Sequence, residues 1–578
     1  MKKTYLIIAL YLFFCLNISA QSHEWQWAKT AITPSNTNTA SGAEFAAVDG
    51  QGNILVTGYF WADSITFGAF TLYNHTPGGN LNDVFIVKYD PSGNVLWATC
   101  FGGTYYDYPN AIATDKNGNA YVVGGFQSDS ITAGPSTIYN YGPTDSTDDI
   151  FVLKISSSGN FLWAKSFGGD YYDRGQGVAT DPSGNVFIAA FFESDSILVG
   201  QTEYYNSTAP IQDHNDILIK CDSLGDVLWA QTSYDATGGT QAYGLSADQF
   251  GNAFMVGRFN GTSLQFGSQT ITNQRDGWND IFIVKYDSSG NALWANDAGG
   301  SLDDYAGSVT VDAAGNSYVT GFYSSPTAVF GSQQLTNDTT DGSEDIFVAK
   351  YDPNGNLIWA NGYGGDQNDV PDGVAVDSVG NVYITGYYYS PFINFGGQAI
   401  TNFDNTGATD DIFVVMFDHN GNPVSAVEAG GLSYDYANGL CTDPSQNVYV
   451  VGAFQSDDII IGATTLINNS TTHNNSTFLA KYAYQPNGIS RIVSQSIIKF
   501  YPNPASDMII AESASFLSAG VTATVYDVAG NVIPVAESFS ADRITFNTSG
   551  LAAGMYMVKF TADGEETNAK FIKVSSGQ

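Results

Sequence analysis

The sequence predicts an all-β protein: a seven-bladed β-propeller whose N-terminal strand closes the last blade, followed by a small Ig-like β-sandwich. Three observations carry this. First, WA pairs recur at Trp27, Trp97, Trp163, Trp229, Trp294 and Trp359, with Ser425 at a seventh place, at intervals of 70, 66, 66, 65, 65 and 66 residues. A fixed period of this size marks a repeat architecture. Second, each period holds runs of Val, Ile, Phe and Tyr bounded by Asp, Asn and Gly, the composition of strands and turns. Third, the repeat starts and stops in mid-unit. EWQWAKT (24–30) is a fourth strand without the other three, and STFLAKY (476–482) is a third strand without its fourth.

Four strands are predicted per unit. The first is short, as in GVAVD (373–377), and a D-x-x-G-N turn leads to the second, as in VYITGYY (382–388). A long connection reaches the third, as in DIFVAKYD (345–352), and another D-x-x-G-N turn leads to the fourth, as in LIWANGYGG (357–365). Glycine at the fourth turn position supplies positive φ, and the leading Asp bonds amides ahead of it. Third strands begin near Val84, Ile150, Ile217, Ile281, Ile346, Ile412 and Phe478, seven in all. A closed ring leaves no blade without a neighbour, whereas an open solenoid needs caps that the sequence lacks. The six tryptophans read as packing between sheets, and Ser425 as the weakest such contact.

The formal net charge is −37, with only 20 Lys plus Arg in 578 residues. Such a surface repels phosphate backbones, which excludes nucleic acid as a partner. Residues 1–20 read as a secretory signal peptide, with two lysines, an apolar run containing Cys15, and a small residue at Ala20. No later segment approaches a transmembrane span. The mature chain keeps Cys100, Cys221 and Cys441, an odd number without disulfide or metal spacing, read as small buried apolar residues.

The blades, at about 24–483, resemble the SBBP β-propeller repeats of secreted bacterial proteins, through DIFVxKYDxxGNxLWA followed by GVAVDxxGNVYxTG. The resemblance implies a propeller and no general activity. Composition changes after 484, through a linker at 485–497, into a final domain at 498–578. There YPNPASD (501–507), YDVAGNVI (526–533), TSGLAAGMYMVKF (548–560) and KFIKV (570–574) read bottom-up as a β-sandwich of six or seven strands. These motifs, with Tyr501, Pro502, Asn503, Pro504, Gly530, Asn531, Gly554, Tyr556 and Lys573, resemble the type A C-terminal sorting domain of the type IX secretion system. That implies the type IX machinery as a partner, and an extracellular or outer-membrane-surface location for the propeller at 21–484.

Both D-x-x-G-N turns fall on one face of the ring, and the long connections and interblade links on the other, where a ligand is expected. On that variable face Asp107, Asp173, Asp304, Asp369 and Asp435 each follow a GG pair by four residues. Two readings stand: a ring of carboxylates at the channel mouth for a cation such as calcium or for sugar hydroxyls, or aspartates bonding their own loops. No metal site and no cofactor are assigned. Lys88, Lys154, Lys220, Lys285, Lys350 and Lys481, with Met416 in the remaining blade, are expected to pair with the Asp ending a first strand, such as Asp115 or Asp181. D-[ST]-x triplets at Asp63, Asp129, Asp195, Asp222 and Asp377 resemble a bacterial O-glycosylation signal. The five histidines, His23, His75, His214, His419 and His473, follow no repeat, and no catalytic motif is present. The expected function is a secreted or surface-bound scaffold, adhesion or binding module for a glycan or protein. The alternative is a polysaccharide-acting hydrolase or lyase, for which acidic pairs such as Asp303 and Asp304 would serve.

Overall fold

The structure, a computed structural model, describes residues 23–34, 40–79, 81–142, 147–207, 213–235, 237–275, 277–339, 342–404, 406–470, 473–484, 499–512, 522–527, 531–540, 543–562 and 565–574. The signal peptide, the linker at 485–497 and Gly530 lie outside the described residues. The chain forms two compact units, one of Ser22–Gln485 and one that takes in Pro486–Gln578.

Among the described residues the larger unit has seven sheets of four antiparallel strands, one of them extended by a hairpin. In six, the strands run outward in chain order, as in Asp369–Val376, Val382–Tyr388, Asp411–Phe417 and Pro423–Ala429. The seventh joins Asp435–Thr442, Val448–Phe454 and Ser476–Tyr484 to His23–Thr30. Trp27 lies opposite Lys481 as Trp97 lies opposite Lys88, and Thr30 lies opposite Phe478. The two ends of the repeat thus complete one sheet.

One hydrogen bond recurs between neighbouring blades. The first residue of each innermost strand donates its N–H to the carbonyl just before the previous blade's third strand. Asp107 donates to Asn82, Asp173 to Asp148, Thr240 to His214, Asp304 to Asn279, Asp369 to Glu344 and Asp435 to Asp410, at 2.7–3.2 Å. Ser41 donates to Asn475 at 2.9 Å, which carries the series across the seam. A propeller that failed to close would leave this last pair unmade.

A second device fastens the outer edge. Trp163 Nε1 and Lys154 Nζ of one blade both donate to the Ser223 carbonyl in the next blade's second turn, at 3.2 and 2.9 Å. Trp97 with Lys88, Trp229 with Lys220, Trp294 with Lys285 and Trp359 with Lys350 repeat this on Ser157, Ser288, Pro353 and His419. The indole lies so close to the turn that a Cβ on Gly225, itself at φ +83°, would sit 3.2 Å from Trp163. Glycine there meets both demands. Four of the six expected ion pairs are present: Lys88–Asp49 at 2.8 Å, Lys220–Asp181 at 3.2 Å, and Lys154–Asp115 and Lys285–Asp248 at 3.8 Å, all buried, whereas Lys350 and Lys481 stand near Asp312 and Asp443 without closing a pair. Ser425 and Met416 interrupt the series in the same blade, and for one reason. The blade that follows has no second turn, because its third and fourth strands come from opposite ends of the repeat. Ser425 instead bonds the Tyr482 hydroxyl at 2.9 Å.

Three expectations are corrected. Each long connection is not a plain loop but holds a short hairpin, such as Ser196–Val199 with Thr202–Tyr205, so a unit has six strands. These hairpins were hidden because they alternate only over four residues and turn at a Gly-x pair. Some also reach the previous blade: Ile32 bridges Thr66, and Ala298 pairs with Phe330. The first strands are eight residues long rather than short, because a bulge breaks their alternation, as between Pro371 and Gly373. The repeat tryptophans are half-buried at the outer rim, and only Trp359 is buried.

Among the described residues the smaller unit is a sandwich of two four-stranded sheets, eight strands rather than six or seven. Its core includes Ile509, Phe546, Val558, Phe560 and Phe571. The sorting motif is structural. Ala505, after Tyr501, Pro502, Asn503 and Pro504, donates to Ile572 at 2.7 Å and accepts from Val574 at 2.8 Å. The Asn503 side chain accepts from the Ile572 amide at 2.9 Å, and Lys573 donates to the Ser506 carbonyl. Tyr501 bonds Glu512, Asn531 closes the Asp527 turn, Gly554 opens its strand, and Tyr556 stacks on Phe571 at 5.5 Å. The motif residues hold the chain's last strand in place.

Candidate functional site

Asp107, Asp173, Asp304, Asp369 and Asp435 begin the innermost strands, and all five are buried. Their carboxylates accept from their own surroundings: Asp107 from the Gly103 amide and the Ser128 hydroxyl, both at 2.9 Å, and Asp304 from Gly300 and Ser325, both at 2.7 Å. Ser194, Ser390 and Ser456 donate likewise to Asp173, Asp369 and Asp435, at 2.7–2.8 Å. They close loops and stand one per junction around the ring instead of converging at an open mouth.

Each has a partner that the sequence pattern alone did not single out. The third strand of the preceding blade begins with Asp83, Asp149, Asp280, Asp345 or Asp411, also buried. One oxygen of each accepts a loop amide, as Asp149 does from Tyr141 at 2.7 Å and Asp345 from Asp338 at 2.8 Å. The other oxygen, Oδ1, is buried without a hydrogen-bond partner in all five. It lies against the first glycine of the GG pair: a Cβ on Gly102 would come within 2.1 Å of Asp83, and one on Gly103 within 2.5 Å of Ser128. That explains the GG. Asp149 is pushed up to about 8 by burial first and by Asp173 among others, and Asp173 up to about 7. Asp411 goes to about 8 with Asp435 at about 7, and Asp345 to about 7 with Asp369 at about 8. Desolvation penalises the charged form, and a like charge nearby adds to it. At the two remaining junctions both members change together, to Asn215 with Thr240 and to Ser476 with Ser41. The signal was in the chain: each pair stands 24 residues apart, as Asp83 and Asp107 do, with the serine 21 further on, and a repeat that lacks one lacks all three.

The mouth itself is built on rings of equivalent backbone positions carrying different side chains. The loops into the innermost strands present Ala40, Tyr106, Tyr172, Gly239, Asp303, Asn368 and Tyr434, each with its carbonyl accepting the amide of the residue just after the second strand. Tyr106, Tyr172 and Tyr434 are exposed. The next ring holds Asn82, Asp148, His214, Asn279, Glu344, Asp410 and Asn475. Deeper, a bulge in every innermost strand adds one residue, giving Glu44, Asn110, Gln176, Tyr243, Gly307, Asp372 and Asn438. All of these but Glu44 line an axial cavity of about 180 Å³.

Charge divides the mouth. Arg174 pairs with Asp148; Arg258 bonds the Tyr305 hydroxyl at 2.6 Å and Gln241 at 2.8 Å; His214 lies 3.1 Å from Glu193. These cations sit on the third and fourth blades. On the far side the charges of Glu44, Asp410 and Glu344 act on Asp372, and Glu344, Tyr387 and Tyr389 line a cleft of about 630 Å³.

Comparison with known proteins agrees with the fold. A model of the secretion system C-terminal sorting domain matches residues 499–574, and one of the β-propeller repeat matches residues 96–124. An uncharacterized WD repeat-containing protein of Acanthamoeba polyphaga mimivirus is 25% identical over 75% of this chain and 37% of its own length. Regulatory protein FlaEY of Caulobacter vibrioides is 28% identical over 32% of this chain and 20% of its own. The chain thus spans well under half the length of either relative. A solved structure of unknown function from Dyadobacter fermentans covers 79% of this chain and 99% of its own, at 10% identity and a TM-score of 0.35, too low to assign anything. No helix among the described residues is long and apolar enough to cross a membrane. The chain carries a β-propeller of the SBBP repeat type and a type IX secretion sorting domain, which directs it to the cell surface or the extracellular space.

Proposed function

We propose that the exported propeller is a ligand-binding module, with its docking site at the tyrosine-rich mouth of the variable face. One observation carries this reading. The same backbone hydrogen bonds fix seven equivalent positions at the mouth, yet the side chains there differ from blade to blade, whereas the opposite end repeats one D-x-x-G-N turn. A scaffold alone needs the shared backbone and not the variety. Tyrosine at Tyr106, Tyr172 and Tyr434 supplies exposed, rigid, amphipathic surface suited to recognition. The test is a glycan and peptide array probed with the full-length chain and with a Tyr106→Ala/Tyr172→Ala/Tyr434→Ala variant. Hits lost in the variant support the reading, and hits that survive it place the ligand elsewhere.

A further inference from the structure

The acidic quadrant of the mouth stands apart in one respect. Among the described residues none of Glu44, Glu344, Asp372 and Asp410 forms an ion pair, although the three basic side chains across the mouth are all engaged. Glu44 accepts from the Asn438 amide at 3.0 Å, and Asp410 from the Asp435 N–H at 2.8 Å. Asp372 Oδ2 is sealed from solvent and has no partner at all. It belongs to the bulge ring of the axial cavity, and its charge acts on Tyr387 before those of Glu344 and Asp410. A buried, unpartnered carboxylate oxygen is costly, and a cation delivered to it relieves the cost. Tyr387 and Tyr389, edge to face at 6.2 Å, flank the approach with π faces that attract a cation further.

We propose that this quadrant binds a guanidinium or ammonium side chain of a polypeptide ligand, its charge held by the Glu44, Glu344, Asp372 and Asp410 carboxyls beside Tyr387 and Tyr389. The inference rests on the mouth being a ligand site. The charge of the cluster selects a cation, and Arg and Lys carry theirs at the tip of a flexible stem that can reach a recessed carboxyl. Burial also pushes Glu44 up to about 7 and Asp410 up to about 6, and raises Asp372 further, with Glu44, Asp410 and Glu344 adding to it. Binding a cation therefore expels protons, and affinity rises with pH across neutrality.

Isothermal titration calorimetry of the full-length chain tests this with N-acetyl-arginine amide, its neutral isostere N-acetyl-citrulline amide, glucosamine and calcium chloride. The expected result is binding of the arginine probe alone, tightening from pH 6 to pH 8 with proton release into the buffer. Asp372→Asn, checked by circular dichroism, should weaken it about tenfold or more, and Glu44→Gln gives a second variant should the first misfold. Equal binding of citrulline, binding of glucosamine or calcium alone, or unchanged affinity in both variants overturns the proposal. Array hits lost in the tyrosine variant, with a silent arginine probe, would sink this inference and leave the binding module standing. Silence in both would remove both.

Discussion

Replacing Asp411 by Asn at the junction with Asp435 should make the propeller less sensitive to alkali. In the folded chain burial holds Asp411 near 8 and Asp435 near 7, against an ordinary value of 3.8. Groups raised in this way favour the folded state fully below the unfolded value, and the benefit is lost as pH rises through the folded one. Stability should therefore fall from about pH 4 to pH 8, by roughly 1.4 kcal/mol per pH unit for each extra proton the native state holds. The turn aspartates with lowered values, such as Asp181 and Asp287, act with the opposite sign, and only as pH drops below 3.8, so the two effects occupy separate windows. An Asn at 411 keeps an acceptor for the Phe403 amide and offers Nδ2 toward Asp435, where Asp411 Oδ1 has no partner. Guanidinium unfolding at intervals from pH 5 to pH 9 should show the variant more stable than the parent at pH 9 by about 1–2 kcal/mol, with a slope shallower by about one proton. A parent whose stability rises from pH 5 to pH 8, or a variant with an unchanged slope, refutes the reasoning.

Lys154→Met should cost about 3 kcal/mol by denaturant titration, because it leaves the buried Asp115 without its cation. Trp163→Ala should cost about 2 kcal/mol from lost rim packing and the bond to Ser223, whereas Ser425→Trp should gain nothing, having no turn to clasp. Gly102→Ala should lower the melting temperature sharply, costing about 2 kcal/mol or more, since a Cβ there meets Asp83, while Gly50→Ala, with open space around it, should stay within about 0.5 kcal/mol. Deleting residues 23–30 should expose the Ser476–Tyr484 edge and produce aggregation, visible by light scattering.

What the sequence determined by itself is the ring and its means of closure. Period, turn chemistry and strand alternation are local properties, and the fragments EWQWAKT and STFLAKY are each missing what the other supplies. The Lys–Asp pairs were also legible, since both members recur at fixed places within one blade. Tertiary structure decided the rest. The bulges that aim Glu44 and Asp372 inward break the alternation that pattern reading depends on. The partners of Asp107 and Asp435 lie on a neighbouring blade, where packing alone brings the two carboxyls together and strips them of water. Ser425 and Met416 look like decay of the repeat until the seam shows that their partner turn does not exist.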